Sequence, residues 1–390
     1  MPRALLQIDE PRSRNASRRP RVPAKVLSVM PDSSSPPVFA PDSPAALGYR
    51  MPAEWEPHAA TWLSWPRPEG ISFPGGGYER AVPALVKMVA ALAESEPVCI
   101  NVCDEAHEAS VRKHLSALPD GYAHVQFHRI PTNEPWCRDH GPIFLTRDAD
   151  PRLAVLDFDY NAWGWKYPPF DFDDAVPTRV AETLGNLPVY RPGIVLEGGS
   201  IDVNGAGTLL TTESCLLNPN RNPTLKKAQI EAVIKDYLCV RNVLWLGDGI
   251  EGDDTDGHVD DLTRFVNRTT VVTVIEEDEH DPNHEPLQAN LHRLREMAAE
   301  DGAPLHVLTL PMPSKIVREG QRLPASYANF YIANTVVLLP TFGDPHDAWA
   351  ASVLRQAIPS RKIVPIDCRE LIWGLGAFHC LTQQQPLVPR

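Results

Sequence analysis

The sequence lacks a run that approaches the roughly 20 consecutive apolar residues needed to span a bilayer. It contains neither a Cys-x-x-Cys pair nor a His-Glu-x-x-His motif, so a zinc site has little support. An excess of positive charge is also missing, because 37 Lys and Arg are set against 50 Asp and Glu. The resulting net charge of −13 argues against a general nucleic-acid-binding protein and weakly favours a small cationic ligand. We therefore expect no metal, and neither a membrane nor a nucleic acid as partner.

Cysteine is scarce: seven occur in 390 residues, at positions 99, 103, 137, 215, 239, 368 and 380, without a regular spacing. An odd number in a long chain without a secretory segment favours reduced thiols and a cytoplasmic location over a disulfide framework. With 43% hydrophobic and 22% charged residues, the composition is that of a globular protein with a sizeable core. The sequence leaves the oligomeric state open, a homo-oligomer included.

Residues 1–45 are rich in Pro, Ser and Arg, and residues 1–30 carry seven basic but only two acidic side chains. Such a segment buries too little apolar surface to fold, and it has no apolar stretch of the kind found in secretory signals. We predict a disordered leader over residues 1–45, or an over-extended gene start with Met30 as the true initiator. The catalytic domain is predicted to span residues 48–390.

From Gly48 onward, short runs rich in β-branched residues alternate with longer amphipathic runs, which predicts an α/β fold. Strands are predicted at 60–65, 98–102, 125–130, 154–160, 207–211, 242–246, 269–275, 305–310, 335–341 and 363–366. Helices are predicted at 78–95, 104–117, 224–236, 285–300 and 347–357. The twofold excess of strands argues against a simple doubly wound sheet and indicates a repeated unit with one helix for every two or three strands.

An internal repeat would explain that ratio. Four segments share a plan in which a strand ends in a turn and a second strand follows: 141–160, 198–211, 258–275 and 327–341. Arranged around an axis, such repeats would bring Asp139, Glu197, His258 and Cys380 to one centre.

Cys380 follows a glycine-rich segment, residues 374–377, and precedes a polar run. Glycines let a substrate approach the backbone closely, and a lone thiol beside them is typical of a nucleophile at the mouth of a pocket. For a cysteine considered alone, a buried structural role is the more common alternative. The polar motifs elsewhere in the chain favour the nucleophile.

His258 and Asp260 are two residues apart, so on a strand they would project from the same face into one cavity. The preceding run Asp253-Asp254-Thr255-Asp256 suggests calcium, but the EF-hand pattern fails at its closing Glu position. A solvated acidic loop is the better interpretation of these three carboxylates.

Two further segments carry candidate carboxylates. Asp139 lies between Trp136, an aromatic wall, and the turn Gly141-Pro142. Its alternative role is to cap a turn or to pair with a neighbour. Glu197 precedes two glycines that would allow close approach of a ligand, and its alternative role is that of an exposed residue in a turn.

A thiol, an imidazole and three carboxylates fit one ligand chemistry best. A Cys–His pair alone would suggest a thiol protease or amidase, but these enzymes use an oxyanion hole and have no need of several buried carboxylates. A guanidinium presents forked N–H donors that two carboxylates can bind bidentately. The combination therefore indicates an enzyme that modifies guanidines.

The chain resembles the agmatine deiminase family, which is grouped with the bacterial peptidyl-arginine deiminases. The resemblance runs from about Tyr49 to Pro386. It rests on Pro-Ala-Glu-Trp-Glu-Pro at 52–57, Trp-x-Arg-Asp-x-Gly-Pro at 136–142, Asn-Ala-Trp-Gly at 161–164, Glu-Gly-Gly-Ser at 197–200, Leu-Asn-Pro-Asn-Arg-Asn-Pro at 217–223, Gly-His-Val-Asp at 257–260, Tyr-Ala-Asn-Phe-Tyr at 327–331 and His-Cys-Leu-Thr-Gln-Gln-Gln-Pro at 379–386.

The resemblance implies a single-domain five-bladed α/β propeller of the guanidine-modifying superfamily, with its site on the pseudo-fivefold axis. It implies Cys380 as nucleophile, His258 as acid and base, Asp139 and Asp260 as guanidinium ligands, and Glu197 as a supporting carboxylate. Without any cofactor, agmatine and water would give N-carbamoylputrescine and ammonia through a covalent thiouronium intermediate.

The substrate's tail is the part that the motifs leave open. An ammonium tail favours a carboxylate or an aromatic wall, and Trp136, Trp163 and Asp254 favour agmatine on that ground. The alternatives are a deiminase of free or peptidyl arginine, an amidinotransferase and a binding protein without turnover. Leu375 and Trp165 are bulkier than the glycines common in the family and are expected to reshape the pocket, and Asp202 replaces a common His.

Overall fold

The computed structural model describes residues 39–117 and 124–388. Most of the predicted leader, residues 1–38, lies outside the described residues. From residue 39 onward the chain belongs to one mixed α/β unit. Within it, the backbone N–H of Ala40 donates to Asp236 Oδ1 and that of Ala45 to the Asp236 carbonyl, each at 3.0 Å. Residues 40–45 therefore contact the folded unit.

The strands of the described residues are β1 His58–Ser64, β2 Val98–Val102, β3 Val125–Arg129, β4 Ile143–Thr146, β5 Leu153–Leu156, β6 Val189–Tyr190, β7 Asp202–Val203, β8 Thr208–Thr212, β9 Asn242–Leu246, β10 Thr263–Phe265, β11 Thr270–Ile275, β12 His306–Pro311, β13 Val317–Arg318, β14 Gln321–Arg322, β15 Tyr331–Ile332, β16 Val336–Thr341, β17 Lys362–Asp367 and β18 Thr382–Pro386.

The helices are α1 Gly77–Ala93, α2 Glu105–His114, α3 Cys137–His140, α4 Ala162–Trp165, α5 Asp171–Asp174, α6 Val176–Thr183, α7 Glu213–Leu216, α8 Lys227–Tyr237, α9 His284–Glu296, α10 Asp347–Ala357 and α11 Phe378–Leu381. Short 3₁₀ turns lie at Leu115–Ala117, Gly198–Ser200, Val259–Asp261 and Leu371–Gly374. Within the described residues, no helix combines the length and the apolar character that a membrane crossing requires.

Five sheets share one plan, in which an antiparallel strand pair is extended by a parallel strand. Their orders are β4-β5-β6, β7-β8-β9, β10-β11-β12, β15-β16-β17 and β18-β1-β2-β3. A parallel neighbour needs a crossover, and one longer helix supplies it for the first parallel strand of each sheet. These crossover helices are α6, α8, α9, α10 and α1, in the order of the sheets given. The four-stranded sheet has a second parallel strand, β3, and α2 connects it to β2. The predicted ratio of one helix to two or three strands is confirmed.

Each of the four predicted repeat segments contains an antiparallel pair: β4–β5, β7–β8, β10–β11 and β15–β16. The fifth pair joins β1 to β18, the two ends of the folded unit. This pair cannot appear as a contiguous repeat in the sequence, because its strands are more than 300 residues apart, as the paired residues Trp62 and Gln383 show. Only the tertiary structure brings β1 and β18 together as the fifth antiparallel pair.

Two of the inner strands, β2 and β8, are buried along their whole length. All five positions of β2 and of β8 are buried, because the crossover helices cover one face and neighbouring sheets the other. The three threonines of β8 are accommodated by hydrogen bonding, as when Thr211 Oγ1 donates to the Ser200 carbonyl at 2.8 Å.

We expect Leu338→Ala, in the middle of β16, to lower the free energy of unfolding by about 2–5 kcal/mol, since its side chain is fully buried and a cavity would remain. Urea unfolding followed by fluorescence measures this change. The matched control is Leu387→Ala, where the side chain is 55% exposed and an effect within about 0.5 kcal/mol is expected. Equal effects of the two substitutions would contradict this assignment of the core.

Candidate active site

Five short segments, each just before the first strand of one sheet, supply the polar residues of the site. They are α3 with Asp139 before β4, the turn after Glu197 before β7, the turn of His258 and Asp260 before β10, residues 327–330 with Asn329 before β15, and α11 with Cys380 before β18. Each of these five sheets thus contributes one segment. The repeated plan is what assembles residues that lie far apart in the sequence.

The thiol of Cys380 lies in a buried, acidic environment. Its side chain is 6% exposed, accepts a hydrogen bond from Asn329 Nδ2 at 3.0 Å and donates to Asp260 Oδ2 at 3.6 Å. Burial, followed by the charges of Asp260, Asp261 and Asp139, raises the pKa of this thiol well above its usual value. Cys380 is therefore a neutral thiol until a positive charge arrives.

Asp139 has both carboxylate oxygens held. The backbone N–H of Gly199 donates to Oδ1 and the indole N–H of Trp163 to Oδ2, each at 3.0 Å, and His258 Nδ1 lies 3.6 Å from Oδ1. Burial raises the pKa of Asp139 to about 6, although His258 and Trp163 oppose the change. The carboxylate therefore gains or loses its proton close to neutral pH.

His258 is completely buried, and neither ring nitrogen has a hydrogen-bond partner among the described residues. Burial lowers its pKa, but Asp139, Cys215 and Glu197 outweigh burial and raise the pKa well above the usual value. An imidazolium with an available N–H is consequently present beside Asp139.

Gly199 has no room for a side chain. A Cβ at this position would lie 2.6 Å from His258 Nδ1, 2.7 Å from Asp139 Oδ1 and 3.1 Å from Asp260 Oδ2. The predicted close approach at this glycine is thus an approach of three site side chains to the backbone.

A strand at His258–Asp260, the condition under which the two side chains would project from one face, does not form, because Val259–Asp261 is a 3₁₀ turn. The turn is fixed by Asp253, which accepts from the backbone N–H groups of Thr255 at 2.8 Å and His258 at 3.1 Å. The carboxylates of this loop were expected to be solvated. That expectation is wrong for Asp253, because its carboxylate accepts hydrogen bonds from backbone N–H groups of the loop. The turn nevertheless directs both predicted residues into the site.

Asp260 is completely buried and is bound on one side only. Its Oδ2 lies 2.7 Å from His379 Nδ1, whereas Oδ1 has no hydrogen-bond partner among the described residues. Burial raises its pKa, but the hydrogen bond and charge of His379, followed by the charge of His258, lower it below the usual value. Asp260 is therefore ionised, with a free oxygen for a cationic ligand.

Glu197 is completely buried, so the alternative of an exposed turn residue is wrong. Its Oε1 accepts from Arg221 Nε at 2.6 Å, and Oε2 has no partner among the described residues. Glu197, Cys215 and His258 offer ligand atoms within 4.8 Å of one another, a donor set that zinc could use. The adjacent Arg221 guanidinium neutralises the carboxylate and opposes entry of a metal cation.

A cavity of about 180 Å³ opens above Cys380. Among the residues that line it are the predicted Trp136, Asp139, Trp163, Asp254 and Cys380. His258, Asp260 and Glu197 lie behind this surface and are not part of the lining.

Trp136 forms one wall of the cavity and is held by its indole N–H, which donates to Ser72 Oγ at 2.9 Å. A Cβ on Gly376 would lie 2.6 Å from the Trp136 ring, so the glycine before Cys380 allows the indole to pack there. Leu375 also lines the cavity, as expected, whereas Trp165 is 67% exposed and does not. The expected effect of Trp165 on the pocket is therefore wrong.

Asp254 lines the same cavity as Tyr167, and the Tyr167 hydroxyl donates to Asp254 Oδ2. Burial raises the pKa of Asp254, and the Tyr167 hydrogen bond opposes the change. Asp202, the other unusual carboxylate, contacts Arg264 away from the cavity.

The sequence reasoning missed several residues that complete the site: Glu54, Arg221, Asn329 and His379. Each lies inside a motif that had been noted only as a resemblance. Polar side chains among buried apolar neighbours, such as Asn329 between Ala328 and Phe330, were the available signal, since a buried polar group needs a partner.

Chemically, the site offers a thiol, an imidazolium and two carboxylates without a full set of positive partners. A planar cation that entered between Asp139 and Asp260 would satisfy the carboxylates and favour the thiolate of Cys380. The thiolate could then attack a carbon of that cation while His258 supplies a proton.

Comparisons with known proteins agree with this chemistry. The sequence model of the Porphyromonas-type peptidyl-arginine deiminase family matches residues 50–386. An agmatine deiminase of Pseudomonas aeruginosa (strain LESB58) is 38% identical over 367 residues, which cover 88% of this chain and 97% of the relative. Among solved structures, the agmatine deiminase of Enterococcus faecalis aligns with a TM-score of 0.82 at 35% identity over 88% of this chain and 97% of that one. The agmatine deiminase of C. jejuni with substrate bound gives a TM-score of 0.80 at 32% identity over the same shares.

Asp260→Asn is expected to increase the rate at which iodoacetamide alkylates Cys380 severalfold at a fixed, mildly alkaline pH. Removing the nearest negative charge lowers the pKa of the thiol and so raises the thiolate fraction. Mass spectrometry of the peptide that contains Cys380 measures the rate, with Cys380→Ser identifying the labelled peptide. Asp159→Asn, at an exposed carboxylate, serves as control, and an unchanged or slower rate in Asp260→Asn would contradict the electrostatic argument.

Proposed function

The chain belongs to the Porphyromonas-type peptidyl-arginine deiminase family, and from that premise we propose that it hydrolyses agmatine to N-carbamoylputrescine and ammonia. The observation that carries the proposal is a buried thiol between carboxylates, with Asp260 bearing one unpartnered oxygen. Similarity to agmatine deiminases over 88% of the chain supports agmatine as the guanidine.

In the proposed reaction, the guanidinium binds between Asp139 and Asp260 and brings a positive charge next to Cys380. The thiol releases its proton to solvent, and the thiolate forms a C–S bond to the central carbon as a C–N π bond opens, which gives a neutral tetrahedral intermediate. His258, as imidazolium, protonates one amino group, the C–N bond breaks, and ammonia leaves. A cationic thiouronium remains attached to Cys380, and His258 is now neutral.

Neutral His258 next takes a proton from water while the oxygen attacks the thiouronium carbon. The second tetrahedral intermediate collapses with cleavage of the C–S bond, which restores the thiolate and releases the ureido product and one proton. The proton taken from water has already restored the imidazolium form of His258, which its environment favours by raising its pKa. Once the product leaves, the thiolate takes up a proton from solvent and the resting thiol is restored. Asp139 and Asp260 retain the carbon in line with the sulfur through both steps.

The substrate's tail would extend along the cavity towards Tyr167 and Asp254, an aromatic and acidic wall that suits an ammonium group. A second candidate is the deimination of free or peptidyl arginine, which Arg318 favours because it also lines the cavity and could face a carboxylate. Arg318 is already engaged, since it donates to Glu370 Oε1 at 2.5 Å and stacks 4.3 Å from the centre of the Trp373 ring. The acidic wall therefore favours agmatine.

We expect the protein to release ammonia and a ureido product from agmatine and Cys380→Ala to abolish the release, because the covalent step has no nucleophile. Coupled ammonia detection and colorimetric ureido analysis measure both products, with arginine and a peptidyl-arginine tested in parallel. Cys239→Ala, which alters a half-buried thiol remote from the cavity, should keep full activity. Turnover of arginine in preference to agmatine would move the substrate to the second candidate, and no turnover of any of the three would refute deimination.

We expect kcat/KM to fall as the pH drops through about 6, because Asp139 binds the guanidinium only as a carboxylate. Trp163→Phe removes the indole N–H that stabilises this carboxylate, so the pKa of Asp139 should rise and the acidic limb should move to higher pH. The pH dependence of kcat/KM on both sides of pH 6 measures the shift. Trp165→Phe, on the exposed indole, should leave the limb in place, and an unmoved limb in Trp163→Phe would contradict the role of Asp139.

We also infer that the five sheets lie around a common axis as the blades of a propeller, with the site on that axis. The inference is supported by the five equivalent segments that precede the first strand of each sheet and converge on Cys380. The seven free thiols are consistent with action in the reducing cytoplasm.

A further inference from the structure

His379, the residue before the nucleophile, links two carboxylates behind the site. Its ring is 2% exposed, with Nδ1 2.7 Å from Asp260 Oδ2 and Nε2 2.8 Å from Glu54 Oε2. Neither nitrogen faces the cavity, so His379 has no direct contact with a substrate there. Its only polar side-chain contacts among the described residues are the two carboxylates.

Glu54 is an ionised carboxylate. Its Oε2 also accepts from Arg264 at 2.8 Å and from Arg138 at 3.2 Å, and Oε1 accepts from the backbone N–H of Ile332 at 2.8 Å. Burial raises the pKa of Glu54, but Arg264, His379 and Arg138 together hold it well below the usual value. An ionised carboxylate only accepts hydrogen bonds, so the proton of the Glu54–His379 contact lies on Nε2.

Asp260 Oδ2 accepts from the Cys380 thiol at 3.6 Å, so this oxygen also presents an acceptor to Nδ1 at 2.7 Å. With an acceptor facing each ring nitrogen, the geometry places a proton on both Nδ1 and Nε2. The charges of the buried group then balance, with three cationic side chains matched to three carboxylates: Arg138, Arg264 and His379 against Glu54, Asp202 and Asp260. Buried charges without such matching would be strongly unfavourable.

We propose that Glu54 and His379 are positioning residues that act through Asp260. The imidazolium binds Oδ2 and keeps Asp260 ionised, which leaves Oδ1 for the guanidinium. Glu54 stabilises the imidazolium and, through Arg264 and Arg138, fixes it to the rest of the buried network. The kinetic part of this proposal rests on the proposed function, whereas the protonation of His379 does not.

Two substitutions at one position separate the contacts. An Asn side chain places its amide N–H₂ where Nδ1 lies, and a Gln side chain places it where Nε2 lies. His379→Asn should therefore keep a donor for Asp260, and His379→Gln should keep one for Glu54 only. We expect His379→Gln to reduce kcat/KM for agmatine roughly 10- to 100-fold, mainly through KM, and His379→Asn to reduce it severalfold, because a hydrogen bond to a charged group contributes about that much.

Glu54→Gln provides the second arm of the experiment. It keeps the shape of the side chain but removes the charge of one of the two carboxylates that hold the imidazole between them, so the contact of His379 with Asp260 should weaken. We expect KM for agmatine to rise severalfold in this variant while kcat changes little. Equal losses in His379→Asn and His379→Gln, or an unchanged KM in Glu54→Gln, would overturn the proposal.

His58 supplies the control for a merely structural effect. It is another buried histidine between two acceptors, with Nδ1 2.8 Å from Glu96 Oε1 and Nε2 2.7 Å from the Glu54 carbonyl oxygen, and it has no contact with Asp260. His58→Asn and His58→Gln should lower the melting temperature and leave KM unchanged. An increase in KM from the His58 substitutions that equals the increase from His379→Gln would assign the effect to packing and would overturn the proposal.

The protonation of His379 is tested without a substrate. In protein labelled with ¹⁵N-histidine, the two ring nitrogens of His379 should both show the chemical shifts of protonated nitrogens at neutral pH, with the resonances assigned by their loss in His379→Gln. One unprotonated nitrogen would overturn the proposal even if agmatine is turned over. Two protonated nitrogens in a protein that leaves agmatine unchanged would refute the proposed function and retain the link between Glu54 and Asp260.

Discussion

Repulsion among buried carboxylates around one thiol is the constraint on which the structure depends. Asp139, Glu197 and Asp260 are almost fully removed from water, where ionised groups are stable only with partners. Arg221 compensates Glu197, His258 faces Asp139, and His379 binds Asp260. The compensation leaves Asp260 Oδ1 and Glu197 Oε2 without partners among the described residues, so a cation completes the site.

The fold supplies that balance by repetition. Each sheet presents one segment before its first strand, and the five segments differ in side chains while their backbones serve the same purpose. Glu54 before β1 contacts His379 before β18 although 325 positions separate them. The antiparallel register of β1 and β18 places the starts of these strands at opposite ends of the pair, so this contact is made by the segments outside the strands. It connects the Cys380 segment to the buried Arg138 and Arg264 through Glu54.

Periodicity predicted the elements that are long enough to show it. All ten predicted strands and all five predicted helices occur, since their apolar residues recur over many positions. The bounds of the short first strands, such as Asp202–Val203 and Thr263–Phe265, were not predicted, because two or three residues are too few to show an alternation of apolar and polar side chains. His258 and Asp260 lie in a turn and not on a strand, because Asp253 binds the local backbone N–H groups. Side-chain contacts of this kind compete with regular secondary structure.

The sequence by itself determined the available chemistry: a thiol, an imidazole and carboxylates beside glycines, in motifs that predict a guanidine-binding site. Only the tertiary structure decided which atoms meet, because hydrogen bonds and charge pairs form between residues that lie far apart in the sequence, by 24 positions for Trp163 and Asp139 and by 325 for Glu54 and His379. It shows that the Trp163 indole donates a hydrogen bond to Asp139. It also shows that a side chain at position 199 would collide with three side chains of the site, which is why a glycine stands there. It also revealed Asn329, Glu54 and His379, whose roles depend on burial and on partners that no local pattern specifies.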